Sequence, residues 1–137
     1  MNEIELVTEM LKRHEGLKLK PYKCTAGKLT IGYGRNIEDN GISISEAEAM
    51  LNNDIQSFRD ILYHRYEWYA GLSQVRKAVV IDMTFNLGIS RFAKFKKTIE
   101  FIRQGEFGKA SVEMLDSNWA NQVGYRATEL SKLFKKG

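Results

Sequence analysis

One cysteine, one proline and two histidines are all that the 137 residues hold of these types. Each scarcity excludes something. A lone Cys24 cannot close an internal disulfide, so the chain is no disulfide-stapled scaffold and suits a reducing cytoplasm. A lone Pro21 excludes a proline-rich linker. His14 and His64 are too few and too isolated to argue a metal site, and neither metal nor cofactor is expected. No run of eighteen apolar residues occurs, so no membrane-spanning helix is expected. The opening Asn2-Glu3-Ile4-Glu5 is polar and acidic, so no signal peptide is expected. Internal repeats and low-complexity segments are missing as well.

What is present suits one compact domain. Hydrophobic residues make up 43% and charged residues 28%, enough for a real core under a soluble surface. The net charge of +4 and pI near 9.2 point to a polyanionic partner: nucleic acid, an anionic membrane or an acidic wall polymer. No nucleic-acid motif appears, and the aromatics do not interleave with basic residues as in a stacking groove. A nucleic-acid partner is therefore not expected.

Helical spacing of Ile4, Val7, Met10 and Leu11 predicts an amphipathic helix over residues 2–14, capped by Asn2 with Glu5 three residues on. Pro21 predicts a turn. Two short strands follow around Ala26-Gly27, with Leu29, Ile31 and Tyr33 alternating against Thr30 and Gly32. Arg35–Gly41 reads as a turn. A helix starting at Ser45, with Glu48 completing Ser-x-x-Glu, carries Met50, Leu51, Ile55, Phe58 and Leu62 inward. Tyr63, Tyr66, Trp68 and Tyr69 read as core packing or, alternatively, as a sugar-stacking platform. Val75–Leu87 should be the central buried helix, capped by Ser73. Basic amphipathic residues 92–102 and residues 107–115 add two helices, the latter with Ala110, Val112, Met114 and Leu115 inward. The closing LSKLFKKG either closes the core or makes a weak membrane contact, without stable insertion.

The chemistry concentrates in His14–Arg35, HEGLKLKPYKCTAGKLTIGYGR. Glu15 falls at a helix end beside Gly16; Cys24 and Thr30 fall on the turn and strand that follow. A carboxyl group across from a nucleophile or base and a hydroxyl suits hydrolysis of a glycosidic bond. On residue types alone, Glu15 also reads as a solvated helix-end residue, Cys24 as small filler and Thr30 as a β-branched strand residue.

The segment resembles the active-site segment of the T-even phage lysozymes, family 24 of the glycoside hydrolases. That family carries Glu, eight residues, Asp or Cys, five residues, then Thr, and Glu15, Cys24 and Thr30 match both spacings. The flanking Glu15-Gly16, Leu17, Leu19, Tyr22 and the Thr30–Gly34 run match as well. Phe85-Asn86-Leu87-Gly88 resembles the end of the family's core helix. Trp119, six residues and Arg126 resemble a further motif.

The resemblance implies an α+β lysozyme-like fold, mostly helical, with a small antiparallel β-hairpin lobe near the N-terminus and a larger helical lobe. Residues 1–137 would form a single domain, the β lobe spanning about 15–44 and the helical lobe 1–14 plus 45–137. The region after Gly34 is shorter than in the T-even enzyme, which implies a smaller β lobe. The implied catalytic residues are Glu15 as general acid, Thr30 as orienter of the attacking water, and Cys24 where Asp is usual. The implied substrate-binding residues are Phe85, Asn86, Thr98, Glu113 and Arg126, with Arg126 paired to Glu15. The implied activity is a muramidase acting on bacterial peptidoglycan as a phage endolysin. It would work as a monomer, held in the host cytoplasm until a holin releases it to the periplasm or wall. Lytic transglycosylase chemistry, or wall binding with weak catalysis, stand as alternatives.

Overall fold

The computed structural model describes all residues, 1–137. They form two compact units, 1–49 and 50–137.

The first unit opens with α1 (Glu3–Glu15). Asn2 accepts from the Glu5 amide at 2.9 Å, as its cap position predicts. The helix stops at Gly16, whose φ of 69° carries the chain out of the helical path while its amide still bonds to the Lys12 carbonyl. Three antiparallel strands follow in the order β1 (Lys18–Lys23), β2 (Leu29–Gly32), β3 (Arg35–Asn36). Pro21 is not a turn: it lies inside β1, an edge strand, where pairing is irregular between Lys18 and Tyr22. An edge position tolerates its missing N–H. The expected turn over Arg35–Gly41 is instead β3 followed by a single helical turn, α2 (Ile37–Asn40), because the Asn36 side chain accepts from the Asp39 amide and starts a helix.

The next helix, α3 (Ile44–Arg65), begins one residue before the expected Ser45. Ser43, not Ser45, caps it: its hydroxyl accepts from the Glu46 amide at 3.1 Å, and Glu46 accepts in return from the Ser43 amide at 2.9 Å. The same Glu46 carboxylate is gripped by Arg35, with Nη1 2.8 Å from Oε1. The Arg35 hydrogen bond first, then the Ser43 amide, hold its pKa down to about 2. Because the folded pKa is depressed, the pair favours the fold above the ordinary carboxylate range and weakens as pH falls toward 2.

The second unit is organised by α4 (Gln74–Leu87), which buries Val79, Val80, Met83, Thr84 and Leu87. Ser73 caps it as expected, accepting from the Arg76 amide. Around it stand α5 (Ile89–Phe92), α6 (Lys96–Arg103), α7 (Phe107–Leu115), α8 (Asn118–Val123) and α9 (Tyr125–Lys136). The single helix expected over 92–102 is broken at Ala93–Phe95. Phe92 is fully buried and stacks on Phe95 at 6.5 Å, a placement served by the turn between them. In α7, Ala110, Ser111 and Met114 face inward, whereas Val112 and Leu115 are exposed, so half of the expected inward set is corrected. Positions 110, 111 and 114 follow one helical face; 112 and 115 lie off it.

The tyrosine–tryptophan cluster is core packing. Tyr69 is fully buried with its hydroxyl donating to the Lys77 carbonyl at 3.0 Å, and desolvation pushes its pKa up to about 12. Tyr66 stacks on Trp68 at 4.8 Å. At the C-terminus Leu130 and Phe134 close the core, as the first of the two readings has it. Arg76 ties that end down. Its Nε donates to the Phe134 carbonyl at 2.8 Å, its Nη2 to the Lys135 carbonyl, and its guanidinium lies 3.8 Å from the Phe107 ring centre. These contacts satisfy two C-terminal carbonyls of α9 and add a cation–π contact. Arg76→Ala is expected to destabilise the protein by about 1–3 kcal/mol, read as a lowered midpoint in urea unfolding.

Candidate active site

Glu15 is the last residue of α1 and is solvent-exposed. Its carboxylate rests against the backbone of Gly34, in the turn between β2 and β3. A Cβ at position 34 would lie 2.7 Å from Glu15 Oε2 and 2.9 Å from its carboxyl carbon. Gly34 also has φ of +76°, a conformation L side chains rarely adopt. Glycine is thus required twice at this position. Lys12, one turn earlier, lies 5.5 Å from the Tyr33 ring centre. The helix end and the glycine-punctuated turn are therefore held together from two positions each.

Cys24 and Thr30 meet across the β1–β2 connection. The Cys24 amide donates to the Lys28 carbonyl at 2.9 Å, and the Gly27 amide donates to the Cys24 carbonyl at 2.8 Å. This closes a tight loop that turns the thiol toward its own hairpin. Hydrogen bonding from the Lys28 backbone, then the Ala26 backbone, then the Thr30 side chain lowers the Cys24 pKa below the free-thiol value. Cys24 is free and half-buried. Thr30 is only 3% exposed, and its hydroxyl donates to the Lys28 carbonyl at 2.9 Å.

The lowered pKa sets a pH test. Alkylation of Cys24 by iodoacetamide should rise through a midpoint below that of a cysteine in an unstructured peptide measured alongside, because only the thiolate reacts. Removing the Thr30 hydroxyl in Thr30→Val should move that midpoint upward. A midpoint at or above the free-thiol value in the wild type would contradict the stabilised thiolate.

In the second unit the expected substrate residues fall into two groups. Phe85 and Arg126 line a depression of about 390 Å³ with Leu51, Ile55, Ala78 and Ile81. The sequence reading pairs Arg126 with Glu15; in the structure its guanidinium engages Asp82, with Nε 2.8 Å and Nη2 2.7 Å from Oδ1. Asp82 is thus a paired charge rather than a catalyst. Asn86 accepts from the Trp119 indole N–H at 2.8 Å, which fixes its amide. Thr98 and Glu113 line a second depression, of about 530 Å³, together with Arg91, Lys94, Lys97 and Trp119. Sequence reasoning missed this cationic wall, although the Lys94-Phe95-Lys96-Lys97 run was its signal. No cluster of three or more His, Cys, Asp or Glu side chains could hold a metal ion, and no helix is long and apolar enough to cross a membrane.

A helix-end carboxyl group beside a small antiparallel sheet, with Cys24 and Thr30 on its first hairpin, followed by a larger helical unit, is a lysozyme-like α+β arrangement. The chain matches the phage lysozyme family over residues 12–136. It is 33% identical to an endolysin of Acyrthosiphon pisum secondary endosymbiont phage 1, covering 93% of this chain and 86% of that one. It is 27% identical to probable T4-type lysozyme 2 of Dictyostelium discoideum, over 98% of this chain and 96% of the other. It is also 29% identical to the pre-baseplate central spike protein of Enterobacteria phage T4, over 96% of this chain and 28% of that protein. The chain belongs to the phage lysozyme family, and with it to the peptidoglycan-hydrolysing glycoside hydrolases.

Proposed function

We propose that this protein is a muramidase that hydrolyses the β-1,4 bond between N-acetylmuramic acid and N-acetylglucosamine, and that it serves a phage as its endolysin. The observation that carries the reading is the Cys24–Thr30 pair, with the thiol's pKa lowered, on the hairpin whose neighbouring turn brings Gly34 against Glu15.

The residues divide the work. Glu15 donates its proton to the glycosidic oxygen as the C–O bond breaks. Thr30 accepts a hydrogen bond from the attacking water and aims its oxygen at the sugar carbon. Cys24, as thiolate, takes the proton that water loses. Water oxygen ends on the sugar, one of its protons on Cys24 and the Glu15 proton on the leaving sugar; attack on the face opposite the leaving oxygen inverts the anomeric carbon. Phe85, Asn86, Thr98, Glu113 and Arg126 contact the polymer. The net charge of +4 favours an anionic wall. We place residues 1–137 in one functional domain, with a β lobe over about 15–44. It acts as a monomer, without nucleic acid or membrane insertion, and stays in the host cytoplasm until a holin gives it access to the wall.

Turbidity loss of outer-membrane-permeabilised bacteria tests the reading. Cys24→Asp should clear cells, and Cys24→Ser should do so weakly, because serine supplies no comparable base at neutral pH. The product should gain one water in mass; an anhydro sugar would overturn hydrolysis in favour of transglycosylation. Clearing by Glu15→Ala would overturn the site itself.

A further inference from the structure

Cys24 and Thr30 both lean on one peptide group, the one joining Lys28 to Leu29. Its carbonyl accepts from the Cys24 amide at 2.9 Å and from the Thr30 hydroxyl at 2.9 Å. The Lys28 backbone is also the foremost cause of the lowered Cys24 pKa. Where this peptide sits therefore decides where both side chains sit.

The sheet alone does not hold it. Strand β3 pairs only with Thr30 and Ile31, so no β3 residue stands opposite Leu29. A side chain takes that place: Glu38, in α2, accepts from the Leu29 amide at 3.1 Å. That amide belongs to the same peptide group, and a carboxylate on the N–H strengthens the carbonyl as an acceptor. The Lys28 side chain is gripped from α2 as well. Its Nζ lies 3.2 Å from Asp39 Oδ1 and 3.6 Å from Glu38 Oε2. Asp39 is fixed in turn by Asn36, whose Nδ2 donates to Oδ2 at 3.0 Å and whose Oδ1 accepts from the Asp39 amide at 3.0 Å. An isolated exposed ion pair holds little, but two carboxylates sharing one cation and a backbone N–H form a network.

We propose that Glu38 and Asp39 are positioning residues for the reaction: from α2 they hold the Lys28–Leu29 peptide and, through it, set Cys24 and Thr30 against the attacking water. The inference rests on the muramidase reading, in which Cys24 and Thr30 handle that water. Glu38 and Asp39 act through the peptide and not on the reacting atoms.

The test combines Glu38→Ala with Asp39→Asn in the full-length protein. Two quantities are read: the pH midpoint of Cys24 alkylation by iodoacetamide, and kcat and KM on peptide-free glycan strands. Removing two negative charges would, by charge alone, lower the thiol midpoint; releasing the peptide raises it, so the sign separates the two effects. The midpoint should rise by about half a pH unit or more. The value of kcat should fall at least about tenfold with KM within about twofold, since a displaced reacting group costs rate rather than binding. Glu38→Gln keeps an oxygen for the Leu29 amide and should recover most of both. Arg103→Gln, which breaks an ion pair with Glu100 in the second unit, is the control for lost stability and should move neither. If the double variant fails to fold, Glu38→Ala alone is read in the same way. A midpoint that stays or falls, or an unchanged kcat, would overturn the proposal. Glu15→Gln tests the parent reading separately. If the wild type cuts the strands and Glu15→Gln does not, an unchanged kcat in the double variant removes only the role of Glu38 and Asp39.

Discussion

Glu15→Gln should lower kcat by about 10²–10⁴-fold, equivalent to about 3–5.5 kcal/mol of lost transition-state stabilisation. Glutamine keeps the size and the hydrogen-bonding reach of the side chain but has no proton to give the leaving oxygen. Glu15 is exposed at the end of α1, so the substitution should shift stability by no more than about 0.5 kcal/mol. Unfolding midpoint and turnover must therefore separate. A variant within tenfold of wild-type activity would show that the proton comes from elsewhere. A variant that loses both activity and stability would show that Glu15 is structural.

Gly34→Ala should produce the next largest effect, and by a different route. The new methyl would sit 2.7 Å from Glu15 Oε2, the mobile end of a flexible side chain. The carboxylate can swing away, so the clash itself costs little. The φ of +76° is a separate penalty, about 1–2 kcal/mol for a residue with a Cβ. The consequence for catalysis is larger than the one for folding: a displacement on the order of 1 Å in a reacting group can cost about 10² in rate. Gly34→Ala should thus fold with a modestly lowered melting temperature and lose about a hundredfold in kcat. Gly27→Ala is the control, because its φ is +77° and nothing lies within 4 Å of the added carbon. It should show the stability loss without the full loss of activity. Equal activity losses in the two variants would show that backbone strain, rather than movement of Glu15, is responsible.

The parts of the fold readable in the sequence are those fixed by neighbours along the chain. Asn2 caps α1 and Ser73 caps α4 because each needs only a backbone amide three residues ahead. Glu15, Cys24 and Thr30 were singled out by the resemblance of their segment to the phage lysozymes, since residue types alone left the bland reading open. What stayed hidden depends on distant partners. Ser43 and Ser45 each have a glutamate three residues on, so local capping chemistry offers no choice between them; Arg35 holds Glu46, and the helix starts accordingly. The 44-residue separation of Asp82 and Arg126 likewise leaves no local trace. The lowered pKa of Cys24 follows from amides presented by a turn whose shape composition does not give.

Pro21 bears on how the protein tolerates crowding with its own copies. An unpaired strand flank invites another chain to extend the sheet. Here β1, at one flank, carries a proline and Lys18, Lys20 and Lys23 along six residues, while β3, at the other, is two residues long. A missing donor and repeated positive charge on one side, with too short a template on the other, oppose strand-by-strand growth into aggregates. The small sheet that carries Thr30 can therefore keep its flanks uncovered without becoming a seed for fibrils.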